Sequence, residues 1–211
     1  MVQSSGDKKV KCAVFISGTG SNLRSLIQFS KKKNSPISIE LIISDNPKAK
    51  GLKFGKIFKI SNKVFNYKNK LIAEKKIISE IKNKKIKLIC LAGFMKILSK
   101  DFIKNFKGKI LNIHPSLLPK YKGLNTHQRV ISNNEKYSGC TVHLVNSRLD
   151  SGKIILQKRV KISKFDTAKS LAKKILIQEH KLYPKQSVKY LVFKKEVYFN
   201  FCVFNTVRTM H

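Results

Sequence analysis

Residues 11–17 (Lys-Cys-Ala-Val-Phe-Ile-Ser) are an apolar run with no polar alternation, cut off by Gly18-Thr-Gly-Ser-Asn22. A strand that is apolar on both of its faces has to be covered on both, which in practice means helices above and below a parallel sheet. The rest of the chain repeats the pattern. Apolar strands are expected at 38–44, 86–91 and 110–113, with helices at 23–33, from Lys48, at 70–84, from the Ser99 cap to Phe106, and at 125–133. The fold class is therefore α/β: a Rossmann-like open, mostly parallel twisted sheet with helices on both faces. Residues 139–146 and 154–162, joined by a turn at Asp150-Ser-Gly152, supply antiparallel strands towards the C-terminus. Residues 57–64 are ambiguous and hold at most a short strand.

The expected organisation is a polar, disordered leader over 1–10, one domain over 11–199 and a tail of unreadable structure over 200–211. A long helix from Thr167 to about Lys189 should break at Pro184, and 190–204 alternates enough for a hairpin or edge strand. No apolar run is long enough to cross a bilayer and no signal peptide opens the chain, so a cytoplasmic protein is expected. The cysteines at 12, 90, 140 and 202 lack metal-ligand spacing and read as reduced core residues. The net charge of +34 favours anionic partners in general, yet it comes from 40 Lys and only 5 Arg spread along the chain. Arg carries most specific base and bidentate phosphate contacts, so this pattern fits a solvated surface with adventitious nucleic-acid binding at low salt.

Three stretches carry chemistry. In Leu111-Asn-Ile-His-Pro-Ser-Leu-Leu-Pro-Lys-Tyr-Lys-Gly123 the strand should stop at His114, because Pro115 has no N–H to continue a ladder. Asn112 and His114 then share one face at the carboxyl end of a strand, where open α/β sheets bind ligands. Both can donate to an oxygen that gains negative charge, as acyl transfer requires. An ordinary strand end with a surface Asn and a satisfied His is the bland alternative. The Gly18–Asn22 loop lacks both the third glycine of a dinucleotide site and the lysine of a phosphate loop. It leaves a nest of amides with Ser21 and Asn22 suited to one phosphate monoester, or else a plain strand-to-helix turn. Residues 92–98 form an unusually apolar loop, either a pocket wall for a flat organic ligand or ordinary packing.

Four separated segments together resemble one family, the phosphoribosylglycinamide formyltransferases of purine synthesis. They are Val14-Phe-Ile-Ser-Gly-Thr-Gly-Ser-Asn-Leu23, Leu91-Ala-Gly-Phe-Met-Lys-Ile-Leu98, the Leu111 to Tyr121 segment, and Gly139-Cys-Thr-Val-His143 followed by Leu149-Asp-Ser-Gly152. A weaker match is Gln178-Glu-His-Lys-Leu-Tyr-Pro184. The resemblance implies direct transfer of a formyl group from 10-formyltetrahydrofolate to the amino group of phosphoribosylglycinamide (GAR). It implies a catalytic trio of Asn112, His114 and Asp150, with Asp150 holding His114 cationic. It also implies that Gly20, Ser21 and Asn22 hold the GAR phosphate and Glu179 its amine end. Met95, Lys96, Ile97, Leu98, Asn112, Asn146, Ser147, Arg148, Leu149 and Asp150 would line the folate pocket. Where the family commonly has an Arg at the folate tail, Lys70 falls here after a shorter loop, and Lys lacks the bidentate fork.

No metal site is expected: His127 and His143 are far apart in sequence and lack nearby carboxylates, and His143 is expected to point inward behind the site. The expected partners are the two small-molecule substrates, with no specific nucleic acid and no membrane, acting in a monomer or weak homodimer. Two competing functions remain on the sequence alone. One is formyl transfer to another acceptor such as methionyl-tRNA, whose enzymes are similar around His-Pro-Ser-Leu-Leu-Pro but carry a further domain. The other is a non-enzymatic basic nucleic-acid-binding protein, which would need aromatics interleaved with Lys on one exposed face.

Overall fold

The computed structural model describes residues 9–187; the expected hairpin at 190–204 and the tail lie outside them. Val10–Ile16 (β1), Ile37–Ser44 (β2), Ser61–Val64 (β3), Leu88–Leu91 (β4), Lys109–His114 (β5), Tyr137–Leu144 (β6) and Ile154–Lys161 (β7) form one sheet in the order β3-β2-β1-β4-β5-β6-β7. The pairs from β3 to β5 are parallel; β5 with β6 and β6 with β7 are antiparallel. β1 opens at Val10, paired with Ile37, one residue inside the stretch expected as leader.

The buried runs of β1, β2 and β4 are covered on both faces, as their lack of alternation requires. On one face Ser21–Ser30 (α1) and Ala168–Leu182 (α6) pack Leu23, Leu26, Ile27, Leu171 and Ile175 against Val14, Ile16, Leu111 and Ile113. On the other, Lys70–Asn83 (α3) and Lys100–Asn105 (α4) pack Ile77, Ile81 and Phe102 against Phe15, Leu41, Ile43 and Ile110. Each fully buried Leu, Ile or Phe contributes roughly 1.5–3 kcal/mol. Lys53–Phe58 (α2) follows a short 3-10 turn at Lys50–Leu52, and Thr126–Ser132 (α5) lies between β5 and β6.

Several ends follow local chemistry. α4 starts at the Ser99 cap, whose Oγ accepts the Phe102 N–H at 3.0 Å. α6 stops at Leu182 and gives way to a π turn over Tyr183–Ser187. Pro184 cannot donate the next helical bond, so the break falls one residue before it. α1 begins at Ser21, two residues earlier than its apolar spacing indicates, because Gly20 turns left-handed (φ 73°) just ahead of it. The sheet order reverses between β1 and β4, so the loops that leave those strands flank the crevice where such sheets bind ligands.

Candidate active site

β5 ends at His114, and Asn112 and His114 lie on the same sheet face as Ile110, two and four residues earlier. The loop that follows is held from β6 and β7. Thr141 Oγ1 donates to the Ser116 carbonyl at 2.6 Å and accepts the Leu118 N–H at 3.1 Å; Gln157 Nε2 donates to the Leu118 carbonyl at 2.8 Å. Ser116 Oγ donates to the Lys120 carbonyl at 2.7 Å, and the Leu118–Pro119 peptide is cis. The path brings the Tyr121 carbonyl within 2.8 Å of His114 Nε2. A carbonyl only accepts, so Nε2 carries a hydrogen.

Asp150 comes from the loop between β6 and β7 and is buried. Its Oδ2 accepts the Gly123 N–H at 2.9 Å and lies 3.3 Å from His114 Nδ1. Its Oδ1 lies 3.4 Å from Asn112 Nδ2 and 3.6 Å from His143 Nε2. His143 Nδ1 is 2.8 Å from the Leu144 carbonyl and must donate to it, and its Nε2 lies 3.2 Å from Asn112 Nδ2. His143 thus points inward behind the site, buried and touching Asn112 and Asp150. Tyr121, Asn125 and Asp150 all have φ between 45° and 56°. Such conformations cost about 1–3 kcal/mol each in non-glycine residues and survive only where the surroundings enforce them.

Burial pushes the His114 imidazolium down, and the Tyr121 carbonyl and Asp150 only partly offset it, so the ring titrates below the ordinary 6.5. Asp150, expected from the sequence to hold His114 cationic, raises the ring's proton affinity, while burial opposes it. Burial also acts to raise Asp150, yet the neighbouring His143, the Gly123 N–H and the nearby His114 hold the carboxyl below its ordinary value.

The glycine loop splits its work between two directions. Gly20 sits against Gly51, where an added Cβ would lie 2.7 Å from the Gly51 Cα, so the turn has room only for glycine. Ser21 lines an open cleft of about 440 Å³ with Thr19, Arg24, Lys50, Lys53 and His180. Asn22 instead points inward: its Nδ2 donates to Glu179 Oε2 at 2.7 Å, and its side chain does not line that cleft. Burial raises the Glu179 carboxyl, with the Asn22 bond opposing. Arg24, Lys50 and Lys53 form no ion pair among the described residues. None of the three stands out in the sequence, because one more cation in a Lys-rich chain carries no signal.

The apolar 92–98 loop is tied down by Ser17, whose Oγ accepts the Met95 N–H at 2.8 Å and donates to Asp45. Met95 and Ile97 are 63% and 61% exposed, and Lys96 reaches Asp45 at 3.8 Å. Leu98 departs from its expected place in a pocket wall. It is 6% exposed and packs with Phe102 and Phe106, because the Ser99 cap turns it into the core. Across the site, Asn146, Ser147, Arg148 and Leu149 are exposed on the loop that ends at Asp150. Lys70, the first residue of α3, is exposed and makes no ion pair among the described residues, so nothing links it to the Asn112, His114 and Asp150 cluster.

The model of the formyl transferase family matches residues 10–186. This chain belongs to that family. Its relatives in the family include the phosphoribosylglycinamide formyltransferase of Haemophilus influenzae, 42% identical over 177 residues that cover 82% of this chain and 84% of that protein. The human trifunctional purine biosynthetic protein adenosine-3 is 41% identical over 180 residues, 84% of this chain, and the match spans 18% of that protein's length. Among crystal structures, phosphoribosylglycinamide formyltransferase from Brucella melitensis superposes with a TM-score of 0.82 at 41% identity, covering 87% of this chain and 96% of that one. The enzyme from Anaplasma phagocytophilum gives 0.83 at 39% identity, covering 89% and 88%.

Proposed function

We propose that this formyl transferase family member moves a formyl group from 10-formyltetrahydrofolate to the amino group of GAR, giving formyl-GAR in de novo purine synthesis. The observation that carries this reading is the convergence of Asn112, His114 and Asp150 at the carboxyl end of β5. The same sheet edge carries the glycine loop with its cationic cleft and the exposed apolar loop after β4. The phosphate would sit on the amides of Gly20 and Ser21, with Arg24, Lys50 and Lys53 around it. Glu179, tethered by Asn22, would take the amine end. Exposed Met95, Ile97 and Leu149 offer apolar surface for a pterin ring, and 10-formyltetrahydrofolate supplies the activated formyl group.

In this reading the Asn112 amide, whose second hydrogen has only a long 3.4 Å contact, turns to the formyl oxygen as the amine adds to its carbon. An imidazolium at His114, which Asp150 and the Tyr121 carbonyl both favour, would stabilise the negative charge that builds beside it. Asp150 in turn assists loss of the proton from the attacking nitrogen; as the tetrahedral adduct collapses, the bond from the formyl carbon to folate N10 breaks, that proton passes to N10, and tetrahydrofolate leaves. A cytoplasmic location, action as a monomer or weak homodimer and the absence of specific nucleic-acid or membrane partners belong to the same reading. Among the described residues, no helix is long and apolar enough to cross a membrane.

An acceptor competition tests the proposal. Purified protein, 10-formyltetrahydrofolate and GAR should give formyl-GAR at a rate far above that with methionyl-tRNA or water as acceptor. Faster formylation of methionyl-tRNA, or hydrolysis alone, would overturn it.

A further inference from the structure

We propose that Arg129 is a positioning residue for the reaction: its guanidinium fixes the 121–125 loop so that two backbone groups of that loop meet His114 and Asp150. The inference rests on the catalytic reading of those two residues. It starts from the loop itself. Tyr121, Gly123 and Asn125 all have positive φ, two of them without the freedom of glycine. The backbone alternates in this way to present the Tyr121 carbonyl to His114 Nε2 at 2.8 Å and the Gly123 N–H to Asp150 Oδ2 at 2.9 Å. A loop in these conformations needs outside support to stay there.

Arg129, the fourth residue of α5, supplies it. Its Nη1 donates to the Lys122 carbonyl at 2.7 Å and lies 3.4 Å from the Leu124 carbonyl, the two groups that flank Gly123. The guanidinium carbon sits 5.3 Å from the centre of the Tyr121 ring. The far end of that ring is held as well, since the Tyr121 hydroxyl donates to Glu135 at 2.9 Å and accepts from Asn133 at 2.9 Å. A planar fork that stacks on an aromatic face while donating in its own plane is a property of Arg that Lys does not share. One side chain therefore spans the loop from Tyr121 to Leu124 without touching His114 or Asp150.

Arg129→Ala and Arg129→Lys in the full chain test this, read by steady-state kinetics and by hydrogen exchange at the Gly123 amide. The expected result for Arg129→Ala is a fall in kcat of about tenfold or more, since small misplacements at a reacting site are costly. KM for either substrate should stay within about twofold, and Gly123 should exchange faster while amides of β1 and β4 do not. Arg129→Lys keeps the charge without the fork and should recover only part of the loss; it also decides the matter if the alanine variant does not fold. A kcat within twofold of the parent, or a fall with Gly123 exchange unchanged, would overturn the proposal. If the parent protein does not formylate GAR, the functional reading fails, and Gly123 exchange in the free protein still decides whether Arg129 holds the loop.

Discussion

His114 is held between two acceptors and opposed by its own burial, which places its titration below the ordinary histidine value. Asp150 is one of the groups pulling the other way. Asp150→Asn should therefore lower the His114 titration midpoint further, measured by NMR on the imidazole protons; an unchanged midpoint would show that the 3.3 Å contact does not couple them. The same shift has a consequence for stability. Below pH 6.5 the unfolded chain takes up a proton that buried His114 resists, so stability present above that pH is lost as the pH falls through the folded value. His127 and His180, also lowered by burial, add to the loss, and Asp150 continues it below 3.8. Glu179, raised by burial, works in the opposite sense above 4.5, as one group against three. The urea midpoint should be lower at pH 5.5 than at pH 7.5, and a higher midpoint at pH 5.5 would contradict this balance.

At the level of elements, the connection between β6 and β7 is built around Gly152. A Cβ there would lie 1.7 Å from the Leu144 carbonyl, so Gly152→Ala must displace backbone rather than a side chain. Overpacking of this kind costs about 1–3 kcal/mol, and here it also shifts Asp150 two residues away. Expected are a lower denaturation midpoint and at least a tenfold loss of formyl transfer, since sub-ångström placement matters at a reacting site. Normal activity would mean that Asp150 tolerates displacement. The elements differ in how far their residues announce them. β1, β2 and β5 declare themselves as apolar runs, and α3 by its spacing. β3 does not: all four of its residues are exposed, and it exists because β2 offers Leu41 to Ser44 as a pairing edge. Asn112 and His114 follow from the two-residue period of a strand, whereas Asp150 is recognisable only through its motif. The Tyr121 carbonyl and Gly123 N–H have no side-chain signature at all, since any residue carries them. Leu98 misleads because an apolar loop residue looks the same whether it faces a pocket or the core.

Across the whole molecule the net charge is +34. Among the described residues only Lys63, Lys96, Lys120 and Lys174 of the lysines are ion-paired. Exposed lysines of this kind attract phosphate backbones without reading bases. Two unrelated oligonucleotides of equal length should bind alike at about 50 mM salt and lose that binding by about 200 mM, as followed by fluorescence anisotropy. A sequence preference that persists at the higher salt would reveal an interface beyond bulk charge. The surface charge and the site are thus separate matters, the second depending on where three side chains meet rather than on how basic the chain is.

The measurement that bears most directly on that meeting point is the turnover number for formyl-GAR production by the parent protein and by Asn112→Ala, assayed side by side with both proteins folded. Loss of a donor to the developing oxyanion should reduce kcat by about a hundredfold or more. A variant that turns over at close to the parent rate would mean that the formyl group is transferred somewhere else.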